Sequence, residues 1–158
     1  MKVLATLCAA GLLALTAQAV AAATLSPINT CFTGAGDTSF SKRGIAIGCH
    51  GRFTGDIDST GIGHIVTVSF TPGSALCGVI NTKNLPWNTT ASTAISGGGG
   101  TASIAGVAVN TAFGNCGPST VPISIDKGGQ ITISKATLPG GCTVTATIQT
   151  TPPISVTP

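Results

Sequence analysis

Two histidines, four acidic residues and six cysteines are the side chains of this 158-residue chain suited to acid–base, nucleophilic or metal chemistry. His50 follows Cys49 and His64 opens an apolar run, so a Cys-His or Ser-His-Asp site can be drawn on paper. The surrounding text does not support one. It contains no nucleophile elbow, no HExxH and no pair of carboxylates in a suggestive setting. His50 reads as an exposed neighbour of a disulfide and His64 as a strand-end residue, so no catalytic residue is assigned. Asp56-Ile57-Asp58-Ser59-Thr60-Gly61 resembles the opening of a calcium loop, but Thr67 stands where an EF-hand needs its twelfth-position Glu. The same residues are ordinary turn chemistry. Among the few aromatic rings, Phe53 and Phe70 fall on apolar faces and read as core. Trp87, after Leu85-Pro86, is the one ring considered for ligand contact, although core packing under a loop is the favoured reading.

Five cysteines lie beyond residue 23: Cys31, Cys49, Cys77, Cys116 and Cys142. In an exported chain they point to disulfides rather than zinc, because no CxxC pair exists and the histidines are badly spaced. Spacing alone leaves the connectivity open. One hint exists: Cys49 and Cys142 each share the apolar face of a strand and could meet in the core. That would leave Cys77 with Cys116, and Cys31 unpaired or joined to another chain. A bridge closing so long a loop would contribute about 4–5 kcal/mol in the chain-entropy model.

Export itself is read from the first residues. Met1-Lys2 is followed by a predominantly apolar run from Val3 to Val20 and by small residues through Ala23, the order of a secretory signal peptide. An uncleaved anchor is the alternative, but the run is near the lower limit for spanning a bilayer and its end looks cleavable. Residues 1–23 are therefore a signal peptide, 24–150 a single domain, and 151–158 a proline-rich tail. The chain holds 7 Lys+Arg against 4 Asp+Glu, with 7% charged residues. So weak and scattered a positive charge excludes a nucleic-acid surface. It also gives little electrostatic protection against self-association.

The elements that would position these residues are strands. Ile45, Ile47 and Cys49 alternate on one face, as do His64, Val66, Val68 and Phe70 on a second strand. Residues 24–42 read as irregular, Leu76–Ile80 as a short strand, and Gly97–Gly100 as a mobile loop. Ile104–Val109 is a further strand. Val121, Ile123 and Ile125 lead through Lys127-Gly128-Gly129 into Ile131 and Ile133, a hairpin in which Pro122 marks an edge position. Cys142, Val144, Ala146 and Ile148 form the cleanest strand face, opposite a ladder of Thr143, Thr145 and Thr147. Pro152 and Pro153 should stop further pairing. No amphipathic helix is evident. The fold class is all-β, an antiparallel β-sandwich or barrel-like domain braced by disulfides.

The cysteine-centred motifs occur in a recognisable order. They are Cys49 before Arg52-Phe53-Thr54-Gly55, Ala75-Leu76-Cys77, Leu85-Pro86-Trp87, Gly114-Asn115-Cys116-Gly117-Pro118, and Leu138-Pro139-Gly140-Gly141-Cys142-Thr143-Val144. Over residues 25–148 the chain resembles the PraB-type activators of alkane oxidation, small exported bacterial proteins. The resemblance implies a secreted, non-enzymatic protein that promotes growth on long-chain alkanes, with no cofactor. Cys31 and the tail depart from the family's pattern. The partners expected are alkane or a hydrophobic interface, with self-association possible and neither nucleic acid nor stable membrane insertion. The place of action is extracellular, at the cell surface, or the periplasm. The alternative is a subunit of an extracellular fibre or biofilm matrix, with residues 24–33 or the 150–158 tail donating a strand to a neighbour.

Overall fold

A computed structural model describes residues 22–71 and 74–158. The assigned signal peptide falls almost wholly outside the described residues. Eight long strands follow one another around a closed antiparallel barrel: β2 (Thr30–Lys42), β3 (Ile45–Ile57), β4 (Gly63–Thr71), β6 (Trp87–Ile95), β7 (Gly99–Thr111), β8 (Gly114–Ile125), β9 (Gln130–Leu138) and β10 (Cys142–Thr151). Each pairs with its neighbour in this order, and β10 closes the ring on β2. Such an up-and-down arrangement removes the free edges of an open sheet. The short β5 (Asn81–Lys83) continues along β7 beyond the reach of β6.

Residues 24–42 are not irregular. Thr30–Lys42 pairs with Ile45–Ile57 at every position, in the longest hairpin of the chain. Arg43 and Gly44 connect them with φ of 52° and 78°, the positive values that a tight two-residue hairpin turn demands. The inward positions of β2 are Phe32, Gly34, Gly36, Thr38 and Phe40, so glycine and threonine stand where an aliphatic alternation would have announced a strand. A Cβ at Gly36 would collide with the Thr147 carbonyl oxygen of β10, which shows how closely the coiled backbones approach there.

In β4 the expected face holds at Val68 and Phe70, which pack against the core, and fails at His64 and Val66. A bulge opposite Thr54 and Gly55 leaves Val66 unpaired, so Ile65 points inward while His64 and Val66 do not. Residues 75–79 form a 3-10 helix rather than a strand, with the Ser74 hydroxyl accepting from the Leu76 amide at its start. Gly97 and Gly98 make a turn, but Gly99 and Gly100 already belong to β7. The prolines at 152 and 153 interrupt pairing without ending it. Ser155–Thr157 (β11) pairs antiparallel with Thr24–Ser26 (β1), and Ile154 and Val156 are only 2% exposed. The tail is thus part of the domain. Gly61 and Gly63 leave room for β1, while Gly100 and Gly129 leave room for β11 and its approach.

Two seams of the barrel are short. β4 and β6 share two residue pairs, His64–Asn88 and Ile65–Trp87, and β8 and β9 share Ser124–Thr132 and Ile125–Ile131. At Pro122, β8 pairs only with β7, so the proline sits where one side of the strand has no partner. The apolar core lies inside the ring of strands.

Candidate functional site

The four buried cysteines form Cys49–Cys77 and Cys116–Cys142. The expected Cys49–Cys142 pairing is wrong, although both side chains do face inward. β2 lies between their strands, and Cys49 is level with Thr38 and Ala146 whereas Cys142 is level with Lys42. Four residues along a strand is about 13 Å, and two strand spacings add roughly 10 Å across. A disulfide tolerates a Cα separation of about 7 Å at most. The actual bridges lie towards one end of the barrel. Cys77 anchors the 3-10 helix to β3, and Cys116–Cys142 joins β8 to the start of β10, where the Gly117 amide donates to the Pro139 carbonyl. Cys31 faces outward, exposed and free among the described residues.

Trp87 packs in the core, as the favoured reading has it. It is 5% exposed, faces the barrel interior, and its indole N–H donates to the Lys83 carbonyl at 2.7 Å. His50 lies 3.6 Å from Asp37 on an open outer face that also carries Ser39, Thr145 and Thr147. With Asp37 almost fully exposed, nothing there holds a base in a fixed orientation towards a nucleophile.

The best-built polar cluster closes the β4–β6 seam. Asp58 Oδ1 accepts from the Thr60 amide, the Thr60 hydroxyl and the Ile62 amide, while Oδ2 lies 3.2 Å from His64 Nε2. The His64 Nδ1 is 2.7 Å from Asn88 Oδ1. Thus the calcium-like loop spends this carboxylate on its own turn and on a histidine. The Thr60 hydroxyl first, then the Ile62 amide, hold Asp58 well below the usual carboxylate range. Asn88 first, then Asp58, raise the pKa of His64. The sequence offered His64 and Asp58 but not Asn88, which only barrel closure brings to them.

Inside the barrel are two apolar voids of about 50 and 40 Å³. Phe53, Ile65, Ile104 and Ile133, one from each of four strands, line both. Trp87 lines the larger. Thr38 and Thr150 also border the voids, but their hydroxyls are engaged with the Cys49 and Gly129 carbonyls. The accessible lining of this interior is apolar and offers nothing to a polar ligand.

A family model described as alkane oxidation protein activator PraA/PraB-like matches residues 1–158. No curated protein and no solved structure matches the chain.

Proposed function

The chain belongs to the PraA/PraB-like alkane oxidation protein activator family, and from that premise we propose a secreted, non-enzymatic accessory protein that promotes alkane utilisation at hydrophobic or cell surfaces. The family match carries this reading, because its description names an activator of oxidation. Three further features support it. Two disulfides suit an oxidising compartment. No helix among the described residues is long and apolar enough to cross a membrane. The surface combines few charges with half-exposed Ile28, Ile45, Ile62, Val66, Val79 and Ile95, an amphiphilic character that favours adsorption to oil.

The deciding experiment is growth of a deletion strain on hexadecane and on a soluble carbon source, with and without purified mature protein in the medium. The expected result is a hexadecane-specific defect rescued from outside. A defect on both carbon sources, or one that added protein leaves unchanged, would overturn the reading.

The exposed Cys31 favours a second reading, a fibre or matrix subunit linked between copies. Against it, the segments expected to serve as free donor arms are occupied within the chain. Residues 24–26 and 155–157 pair with each other, and Thr30–Thr33 opens β2. Concentration-independent monomer under non-reducing conditions would dispose of it.

A further inference from the structure

We propose that the barrel interior is a binding site for the end of an unbranched aliphatic chain, whether of a free n-alkane or of a lipid acyl tail. The choice of ligand class deepens the alkane reading above, but the site is argued from its own geometry. An eight-stranded barrel is wide enough either to be filled by its side chains or to hold one small ligand. Here the filling is incomplete. The two voids share Phe53, Ile65, Ile104 and Ile133, so they lie one beyond the other with those four side chains as the waist between them. Phe32 and Ile148 border one void, and Phe40 and Val109 the other.

Shape and chemistry select the occupant. The accessible lining of both voids is wholly apolar. With the bordering threonine hydroxyls already bonded, water has no partner there and the voids stay dry. A benzene-sized guest uses a cavity of about 150 Å³. Each void as it stands therefore holds only a few methylenes, and the occupant is the narrow tip of a chain, with more of it entering only as the waist side chains move. Phe53 and Ile133 face inward yet are partly exposed, unlike Ile65 and Ile104 at the same waist. Ile133 is the first inward residue of β9 beyond the last β8–β9 pair, at Ser124–Thr132. The short seam therefore places the entrance beside Ile133, with Phe53 as the ring that turns to join the voids.

Trp87 is the only tryptophan of the chain and lines the larger void, so its fluorescence reports occupancy directly. The experiment titrates mature protein with n-octane and, separately, with octanoate. The expected result is a saturable change in Trp87 emission that weakens at least tenfold in Ile133→Phe and Ala146→Leu, which fill the voids. Saturation by octane alone assigns the site to free alkane. Saturation by octanoate alone assigns it to acyl tails. No saturable change with either probe overturns the proposal, as does an equal response in both filled variants. Should those variants fail to fold, methyl NMR of the unmodified protein with octane replaces them. Shifts confined to the residues lining the voids support the site, and shifts confined to the outer surface overturn it. External rescue of growth that survives loss of the fluorescence response would separate failure of this site from failure of the accessory role.

Discussion

At His64, both ring nitrogens face acceptor oxygens, Oδ1 of Asn88 and Oδ2 of Asp58. Only the imidazolium can donate to both as they are oriented, which is why its pKa rises above the ordinary 6.5. A raised histidine contributes stability that is complete below its unfolded value and is lost as pH rises through the folded one. Asp58, held low by Thr60 and Ile62, contributes above its ordinary 3.8 and loses that contribution as pH falls below it. The latch across the β4–β6 seam is therefore strongest between those two values. Thermal unfolding should show a decline from pH 6 to pH 8.5 that is shallower in His64→Gln, and identical slopes would refute the latch. The cysteines give a second residue-level test. Sequence separations of 28 and 26 close loops worth about 3–4 kcal/mol each in the chain-entropy model. Replacing Cys116 and Cys142 together by Ala should remove about that much stability in urea unfolding. Replacing the exposed Cys31 by Ser should leave it unchanged.

Two glycines of one hairpin separate what an element tolerates from what it does not. Gly48 faces outward on β3, and a Cβ added there would meet nothing within 4 Å, whereas Gly36 on β2 is pressed against the β10 backbone. Gly48→Ala should be neutral or stabilising by up to about 1 kcal/mol, because it restricts the unfolded chain. Gly36→Ala must displace a strand and should cost on the order of 3 kcal/mol. Equal midpoints in denaturant for the two variants would contradict the register of β2 on β10. The same contrast explains what could be read from the residues. β10 was legible because Cys142, Val144, Ala146 and Ile148 supply the buried face in strict alternation. β2 was not, since the Ile148 side chain crowds Gly34 and the β10 backbone crowds Gly36, so glycines stand on its inner face and erase the hydrophobic signal. A single bulged residue, Val66, reversed the facing of His64 and Ile65. Cysteine type disclosed that Cys49 and Cys142 are buried, but pairing depends on which strand lies between them, and that is a property of barrel closure. The voids and the Asn88 contact were hidden for the same reason, each being assembled from strands distant in sequence.

For the whole molecule, the direction of the strands gives the barrel two unlike ends. Both disulfides lie towards one, while the β1–β11 ribbon and the turns at 58–62, 96–98 and 126–129 gather at the other. Ile28 and Ile62 are neighbours at this second end, tied through hydrogen bonds from the Asn29 amide to the Asp58 carbonyl and from the Asp58 amide to the Ile62 carbonyl. Ile95 closes β6 towards the same end. All three are 42–54% exposed. Covering the exposed part of each with oil is worth about 1 kcal/mol, so together they should strengthen adsorption by roughly a hundredfold. Because the chain carries few charges, that adsorption should change little between low and high salt. The triple replacement of Ile28, Ile62 and Ile95 by Ser should raise the concentration needed to lower hexadecane–water tension by about that factor. Its melting temperature should stay near that of the parent, since none of the three belongs to the buried core. If tension falls equally well with the triple variant, the adsorbing face is not this end, and the opposite end with Ile45 and Val79 becomes the one to alter.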